Sequence, residues 1–261
     1  MPISAAELVR RESLSELRKL GAWFHAKHGT TIVLLGGWAV YSYNPYLGSF
    51  DIDCLGPEDP FTRHLNIYMQ SHGYVREPES LFGAASESWK KPVYSEGRRI
   101  DGIYIDTCDF DYPNYFKEDP MKTLPYSLCT REEYLKRRRI DGEYFHVPTK
   151  ELLFLYKVKA ARDRDHIIQH DPPPPAMLQR IQGKRDKDHS DLAALLDPRF
   201  GGAIDGTILG KLVRQHKLEF VADSILNLPR HTSVAEYARL RQTRVAEVQT
   251  WVGRMAADSG L

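Results

Sequence analysis

The spacing of apolar and polar residues divides the chain into a mixed front half and a helical back half. From Ser4 to His28, the residues Leu8, Leu14, Leu17, Leu20 and Trp23–Phe24 recur at helical spacing with Arg and Glu between them, which predicts an amphipathic helix. Thr31-Ile32-Val33-Leu34-Leu35 is apolar and β-branched and reads as a buried strand. Gly36-Gly37 end it, Trp38-Ala39-Val40-Tyr41 open a short helix, and Asn44-Pro45 break that helix. The next run, Phe50-Asp51-Ile52-Asp53-Cys54-Leu55, alternates with period two. Phe50, Ile52 and Cys54 share one face of the expected strand, and Asp51, Asp53 and Leu55 share the other, before Gly56-Pro57 close it.

Residues around Pro60–His72 predict a helix, followed by a loop through Glu79–Ser88. Two more strands are expected, Lys91–Tyr94 and Arg99–Phe110, the second bent at Gly102. Thr149 is placed to cap a helix from Lys150 to about Asp165, with Glu151 in its first turn. Asp171 and the four prolines after it dictate an extended turn or linker. From Ala176 to Gly260 strand-like runs are absent and apolar residues fall three and four apart, so this part is helical. The expected fold class is therefore α/β (α+β), with a mixed domain over residues 1–148 and a helical domain over 149–261.

The chemistry concentrates where a strand, a Gly-Gly pair, a short helix and an Asp-x-Asp strand follow in that order. Carboxylates at i and i+2 on a strand point to one side with Cβ atoms roughly 7 Å apart, twice the ~3.3 Å rise per residue. Like charges so placed repel and invite a cation, and magnesium suits a few carboxylates completed by substrate phosphates. Gly36 and Gly37 let the backbone approach an anion, and the helix after them offers free N–H groups and a positive dipole end to a phosphate. Asp-x-Asp or Gly-Gly alone is usually a solvated strand end or a plain turn. In this order, on these elements, they supply what phosphoryl or nucleotidyl transfer requires.

The segment LLGGWAV…GSFDID resembles the signature of the polymerase-β-like nucleotidyltransferases: Gly-Gly or Gly-Ser, a gap of about ten residues, then Asp-x-Asp/Glu. Ser49 stands where relatives carry Ser or Thr two residues before the first Asp, while Leu47 stands where an Arg often precedes it. The resemblance implies a small mixed sheet flanked by helices, binding a nucleoside triphosphate at Gly36, Gly37 and Ser49, and Mg2+ at Asp51 and Asp53. The family's third carboxylate lies on a later strand; Asp106 after Ile103-Tyr104-Ile105 matches best, with Asp101 and Asp109 competing.

A second cluster resembles the AbiEii-type toxin branch of that superfamily: Lys-x-x-Ala from Lys157, an Arg, then Lys-Asp-x-x-Asp-Leu from Lys187. It implies that Lys157 contacts the triphosphate and that Asp188 positions the acceptor or takes its proton, whereas helical spacing alone reads equally well as a solvated ion-pair face. The likeness spans about Thr31 to Leu196. It implies transfer of a nucleotide to an RNA, with a tRNA 3′ end as acceptor and a cognate antitoxin as possible partner. A small-molecule, antibiotic-modifying nucleotidyltransferase shares the same metal site, and a non-catalytic nucleotide-binding module is the third reading.

Charge adds one qualification. The 36 Lys and Arg nearly balance the 35 Asp and Glu, so any nucleic-acid surface must be a local cluster. Lys136-Arg137-Arg138-Arg139 is the densest basic run, and Arg180, Lys184, Arg185 and Lys187 form another. Either would meet RNA phosphates or remain a solvated face. His166 and His170 lack zinc-like acidic partners and read as surface residues. Three cysteines with no ligand spacing fit reduced thiols in the cytoplasm, and no apolar run is long enough to act as a signal peptide or membrane span.

Overall fold

The computed structural model describes residues 3–29, 31–56, 63–77 and 86–261. The packing divides the chain into two compact units, Met1–Tyr112 with Pro125–Pro148, and Pro113–Leu124 with Thr149–Leu261. The architecture is mixed α/β, with one seven-stranded sheet and a run of helices towards the C-terminus.

In the first unit, helix α1 (Ala5–His28) forms along its predicted apolar stripe. The Ser4 hydroxyl accepts the Glu7 N–H, and Gly29 ends the helix in the left-handed region. Strand β1 is only Val33–Leu34, shorter than the predicted 31–35. Single hydrogen bonds extend its pairing: the His146 N–H donates to Ile32 and the Leu35 N–H donates to Asp53. Helix α2 (Gly36–Tyr43) starts at the first glycine rather than at Trp38, so both glycines belong to its first turn. The Trp38 indole N–H donates to Ser13 at 3.1 Å and pins α2 to α1.

Strand β2 (Asp51–Gly56) matches the alternating run, and helix α3 (Arg63–Ser71) falls inside its predicted span. Residues 60–62 of that expected helix and 79–85 of the expected loop lie outside the described residues. The chain then supplies β3 (Val75–Glu77), β4 (Ser86–Ser95) and β5 (Arg98–Asp109). Residues 86–88 are thus strand, not loop. The irregularity falls beside Gly102 rather than at it: Val93 pairs with Asp101 and Tyr94 with Arg99, so Ile100 is the extra residue of β5, two positions before the glycine. A Cβ at Gly102 would sit 3.2 Å from the Lys91 carbonyl oxygen and against the movable Lys90 side chain. Strands β6 (Leu135–Ile140) and β7 (Glu143–Pro148), where no strand was expected, complete the sheet.

The sheet order is β3-β4-β5-β2-β1-β7-β6, with β2–β5 and β1–β7 parallel and the other pairs antiparallel. One face carries Trp89, Ile105, Ile103, Ile52, Cys54 and Phe145, all buried. Buried Glu16 of α1 fixes the helix to this face, accepting from Lys91 at 3.0 Å and from the Tyr74 hydroxyl at 2.9 Å.

The second unit is built on a hairpin of α4 (Lys150–His170) and α5 (Pro175–Leu196). Thr149 caps α4 by accepting the Leu152 N–H, as its position predicts. Residues 171–174 are the expected non-helical connection, but the last proline, Pro175, opens α5, where its missing N–H costs nothing. Five or more turns of α4 carry it past the predicted end at Asp165, to His170. Helices α6 (Gly206–Gln215), α7 (Ala222–Asn227), α8 (Thr232–Leu240) and α9 (Val245–Ser259) follow. Among the described residues no helix is long and apolar enough to cross a membrane.

Candidate functional site

The alternation of β2 sets the geometry. Ile52 and Cys54 are buried on one face, while Asp51 and Asp53 are half-exposed on the other. Residues i and i+2 of a strand lie roughly 7 Å apart on one side. Strand β5 runs parallel to β2, with Asp53 level with Asp106. Paired residues on neighbouring strands project to one face about 4.8 Å apart. Asp51, Asp53 and Asp106 therefore share a single sheet face.

Asp101 and Asp109 do not. Each lies an odd number of residues from Asp106 and so projects to the opposite side. The Asp101 carboxylate accepts the Gly102 N–H at 2.8 Å, and the Asp109 carboxylate accepts the Asp111 N–H at 3.0 Å, a local loop contact. The Asp106 carboxylate instead accepts the hydroxyl of buried Ser88 at 2.6 Å, from the register-matched position on β4. That hydroxyl holds Asp106 in one orientation.

The acids impose a negative potential on their neighbours. Burial first, then Asp53 and Asp106, push the Cys54 thiol well above its ordinary range. Burial, then Cys108 and Asp53, do the same to the Tyr126 hydroxyl. Concentrated negative potential at a strand end is the condition under which a divalent cation is bound.

The start of α2 meets this group at Asp53. The Leu35 N–H donates to the Asp53 carbonyl at 2.9 Å, which holds the strand-to-helix corner against β2. Gly36 has φ 59°, in the region that favours glycine. A Cβ at Gly36 would also stand 1.7 Å from Asp53 Oδ2 and 2.7 Å from its Cγ. Position 36 therefore excludes a side chain on two independent grounds, and the Asp53 carboxylate rests directly on the helix start. Leu35 supplies no side-chain oxygen to the first-turn amides of α2, and no acid lies in that turn. Gly37 and Ser49 are buried, Ser49 in the connection from α2 to β2, with Leu47 half-exposed before it.

Lys157 and Asp188 belong to the second unit. They are not a solvated face: Lys157, Asp188 and Asp191 are all buried. Lys157 Nζ lies 2.9 Å from Asp188 and 2.7 Å from Asp191. Lys187 reaches Asp191 at 2.8 Å, and Arg164 pairs with Asp188. Burial raises the Asp191 carboxyl, but Lys157 and Lys187 outweigh it and hold it below its ordinary value. The structure thus brings Asp51, Asp53, Asp106 and Gly36 together in one unit, and Lys157 with Asp188 in the other.

Sequence reasoning missed Ser88 and Tyr126, and reached Arg164 only as an arginine without a number in the pattern after Lys-x-x-Ala. The two-residue turn Glu96-Gly97, with both residues at positive φ, sets Ser95 opposite Arg98, but the extra residue Ile100 shifts the pairing by one, and only that shift brings Ser88 level with Asp106. Nothing in the local pattern marks Tyr126 or chooses Arg164 over Arg162.

Among the described residues no three His, Cys, Asp or Glu side chains are grouped so that together they could hold a metal ion, Asp51, Asp53 and Asp106 included. The donors fit magnesium in a different sense. They are hard carboxylate oxygens on one face beside a helix start, and magnesium is commonly held by one or two carboxylates with the rest of its shell from water and substrate phosphate. Comparison with known proteins adds no assignment: no protein-family model matches the sequence, and no curated protein is significantly similar to it.

Proposed function

We propose that the protein is a magnesium-dependent nucleotidyltransferase that moves a nucleoside monophosphate from a triphosphate to the terminal hydroxyl of an RNA, with a tRNA 3′ end as acceptor. The observation that carries this reading is the contact of the Asp53 carboxylate with Gly36 at the start of α2, with Asp106 level with Asp53 on β5. A carboxylate and a helix N-terminus so joined present a cation ligand and a phosphate cradle side by side.

In the reaction, the first-turn amides of α2 and the Ser49 hydroxyl hold the triphosphate. Asp51 and Asp53 would hold the magnesium, which would supply neutralisation of the phosphate charge, and Asp106 is left to act as a base. The acceptor hydroxyl oxygen forms a bond to the α-phosphorus. The bond from that phosphorus to the bridging oxygen breaks, and pyrophosphate leaves with the electron pair. The hydroxyl proton passes to the Asp106 carboxylate, which Ser88 keeps oriented. Lys157 and Asp188 are engaged with each other, so the chemistry is assigned to the first unit alone.

Such a transfer belongs in the cytoplasm, and in a toxin–antitoxin pair the partner would be a cognate antitoxin. The test incubates purified protein with magnesium, each labelled nucleoside triphosphate in turn, and either total tRNA or a panel of aminoglycosides. Label on RNA that disappears with Asp53→Ala supports the reading. Label on a drug replaces it with antibiotic modification. No label, together with no nucleotide binding by calorimetry, removes the enzymatic reading altogether.

A further inference from the structure

The two basic clusters have different fates. Arg185 pairs with Asp165 and Asp186, and Lys187 pairs with Asp191, so the cluster on α5 is largely neutralised. The cluster on β6 is not. Among the described residues no carboxylate forms an ion pair with Lys136, Arg137, Arg138 or Arg139, and the nearest acids along the chain are taken elsewhere: Glu133 by Arg131 and Asp141 by Arg18. Four uncompensated cations on a six-residue strand stand out in a chain of net charge +1.

The register sorts them. Arg138 faces inward, over the Tyr43 ring at 4.4 Å and donating to the Ser42 carbonyl at 2.8 Å. Arg137 and Arg139 project to the other face, with Tyr144 of β7 level with Arg139. Tyr144 is 45% exposed, and Arg137 stacks on it at 4.2 Å. Arg139 stands 5.8 Å from the same ring. The pairings Arg137–His146, His146–Val33, Val33–Leu55 and Asp53–Asp106 carry this face across the sheet. Arg137, Arg139 and Tyr144 therefore lie on the same face as Asp51, Asp53 and Asp106. With strands ~4.8 Å apart and a rise of ~3.3 Å per residue, the strip lies roughly 15–20 Å from Asp53.

We infer that Arg137, Arg139 and Tyr144 form a docking strip for single-stranded RNA, taking up nucleotides upstream of an end that reaches the carboxylates. The strip joins the two elements such recognition needs: cations for phosphates, and an exposed aromatic ring stiffened by guanidinium stacking for a base. Its distance from Asp53 falls within the span of a single-strand site several nucleotides long. Charge on a bordering strand also discourages strand pairing, but that purpose needs no exposed tyrosine between two arginines. The inference rests on the nucleotidyltransferase reading for the identity of the RNA end, and the test separates the two.

The experiment measures binding of a labelled single-stranded 12-nucleotide RNA by fluorescence anisotropy over a salt series, for the full chain and its variants. Arg137→Glu with Arg139→Glu is expected to weaken binding at least tenfold and to flatten the salt dependence by about 1.4, since each single-strand phosphate contact contributes ~0.7 to the slope. Arg137→Lys with Arg139→Lys should keep the slope. Tyr144→Ala is expected to weaken binding at least fivefold without changing the slope. Magnesium–triphosphate affinity, followed by calorimetry, should be unchanged in all of them. RNA binding indifferent to the charge reversal, or absent from the parent protein, overturns the strip even if transfer is observed. Equal competition by duplex RNA overturns it as well. Loss of RNA binding in the variants of a protein that transfers nothing upholds the strip and removes the catalytic reading.

Discussion

At residue scale, two positions make separable predictions. Gly36→Ala places a methyl group against the Asp53 carboxylate at a backbone angle that alanine disfavours. The expected cost is ~1–3 kcal/mol of stability, read from the denaturant midpoint, together with loss of nucleotide binding as Asp53 is displaced. His189 contributes to the acid response. It is buried, stacked on His231 with ring centroids 3.6 Å apart, and its Nδ1 has no hydrogen-bond partner. Burial, then His231 and Arg185, lower its pKa to about 4. In the unfolded chain the imidazole titrates near ~6.5, so between these values the unfolded state binds more protons. The stability contributed by neutral His189 is thus intact above about pH 6.5 and is lost as pH falls towards 4, by at most ~3 kcal/mol. Urea midpoints at pH 7 and pH 5 should differ more for the parent than for His189→Gln.

At element scale, legibility followed period. Strand β2 was readable because one of its faces is buried and the other is not, and α1 because its apolar stripe keeps helical spacing. Strand β6 was not, because its sequence LKRRRI is charged on both faces, as only a bordering strand tolerates. The Asp51–Asp53 pair was visible in local alternation. The match of Asp53 to Asp106 depends on a parallel pairing between segments some fifty residues apart, which no local pattern encodes. The link from α4 to α5 was legible as residue types but not as a buried ion pair. Removing its central cation leaves two buried carboxylates undercompensated, so Lys157→Met should lower unfolding free energy by ~3–5 kcal/mol in chemical denaturation. An unchanged midpoint would show that the pair is hydrated rather than desolvated.

For the whole molecule, the expected effect of metal is conditional on substrate. Because the described residues group no three donors able to hold a metal ion, EDTA alone should leave the melting temperature unchanged. Magnesium with nucleoside triphosphate at a hundredfold excess over Kd should add ~2.7 kcal/mol, visible as a higher melting temperature, and Asp53→Ala should abolish the rise. A rise with magnesium alone would point to a preformed protein cage instead. Both experiments are suited to a chain whose net charge of +1 gives polyvalent ions little general attraction to it.

The cationic border of the sheet has a further consequence, for self-association. If β6 of one copy paired edge to edge with β6 of another, arginine would meet arginine along the seam, so lateral zippering into fibrils is opposed as long as those charges stand uncancelled. A polyanion that cancels them also lifts that protection. At saturating loads of RNA the protein's colloidal behaviour would then be set by the very strand that keeps the unloaded molecules apart.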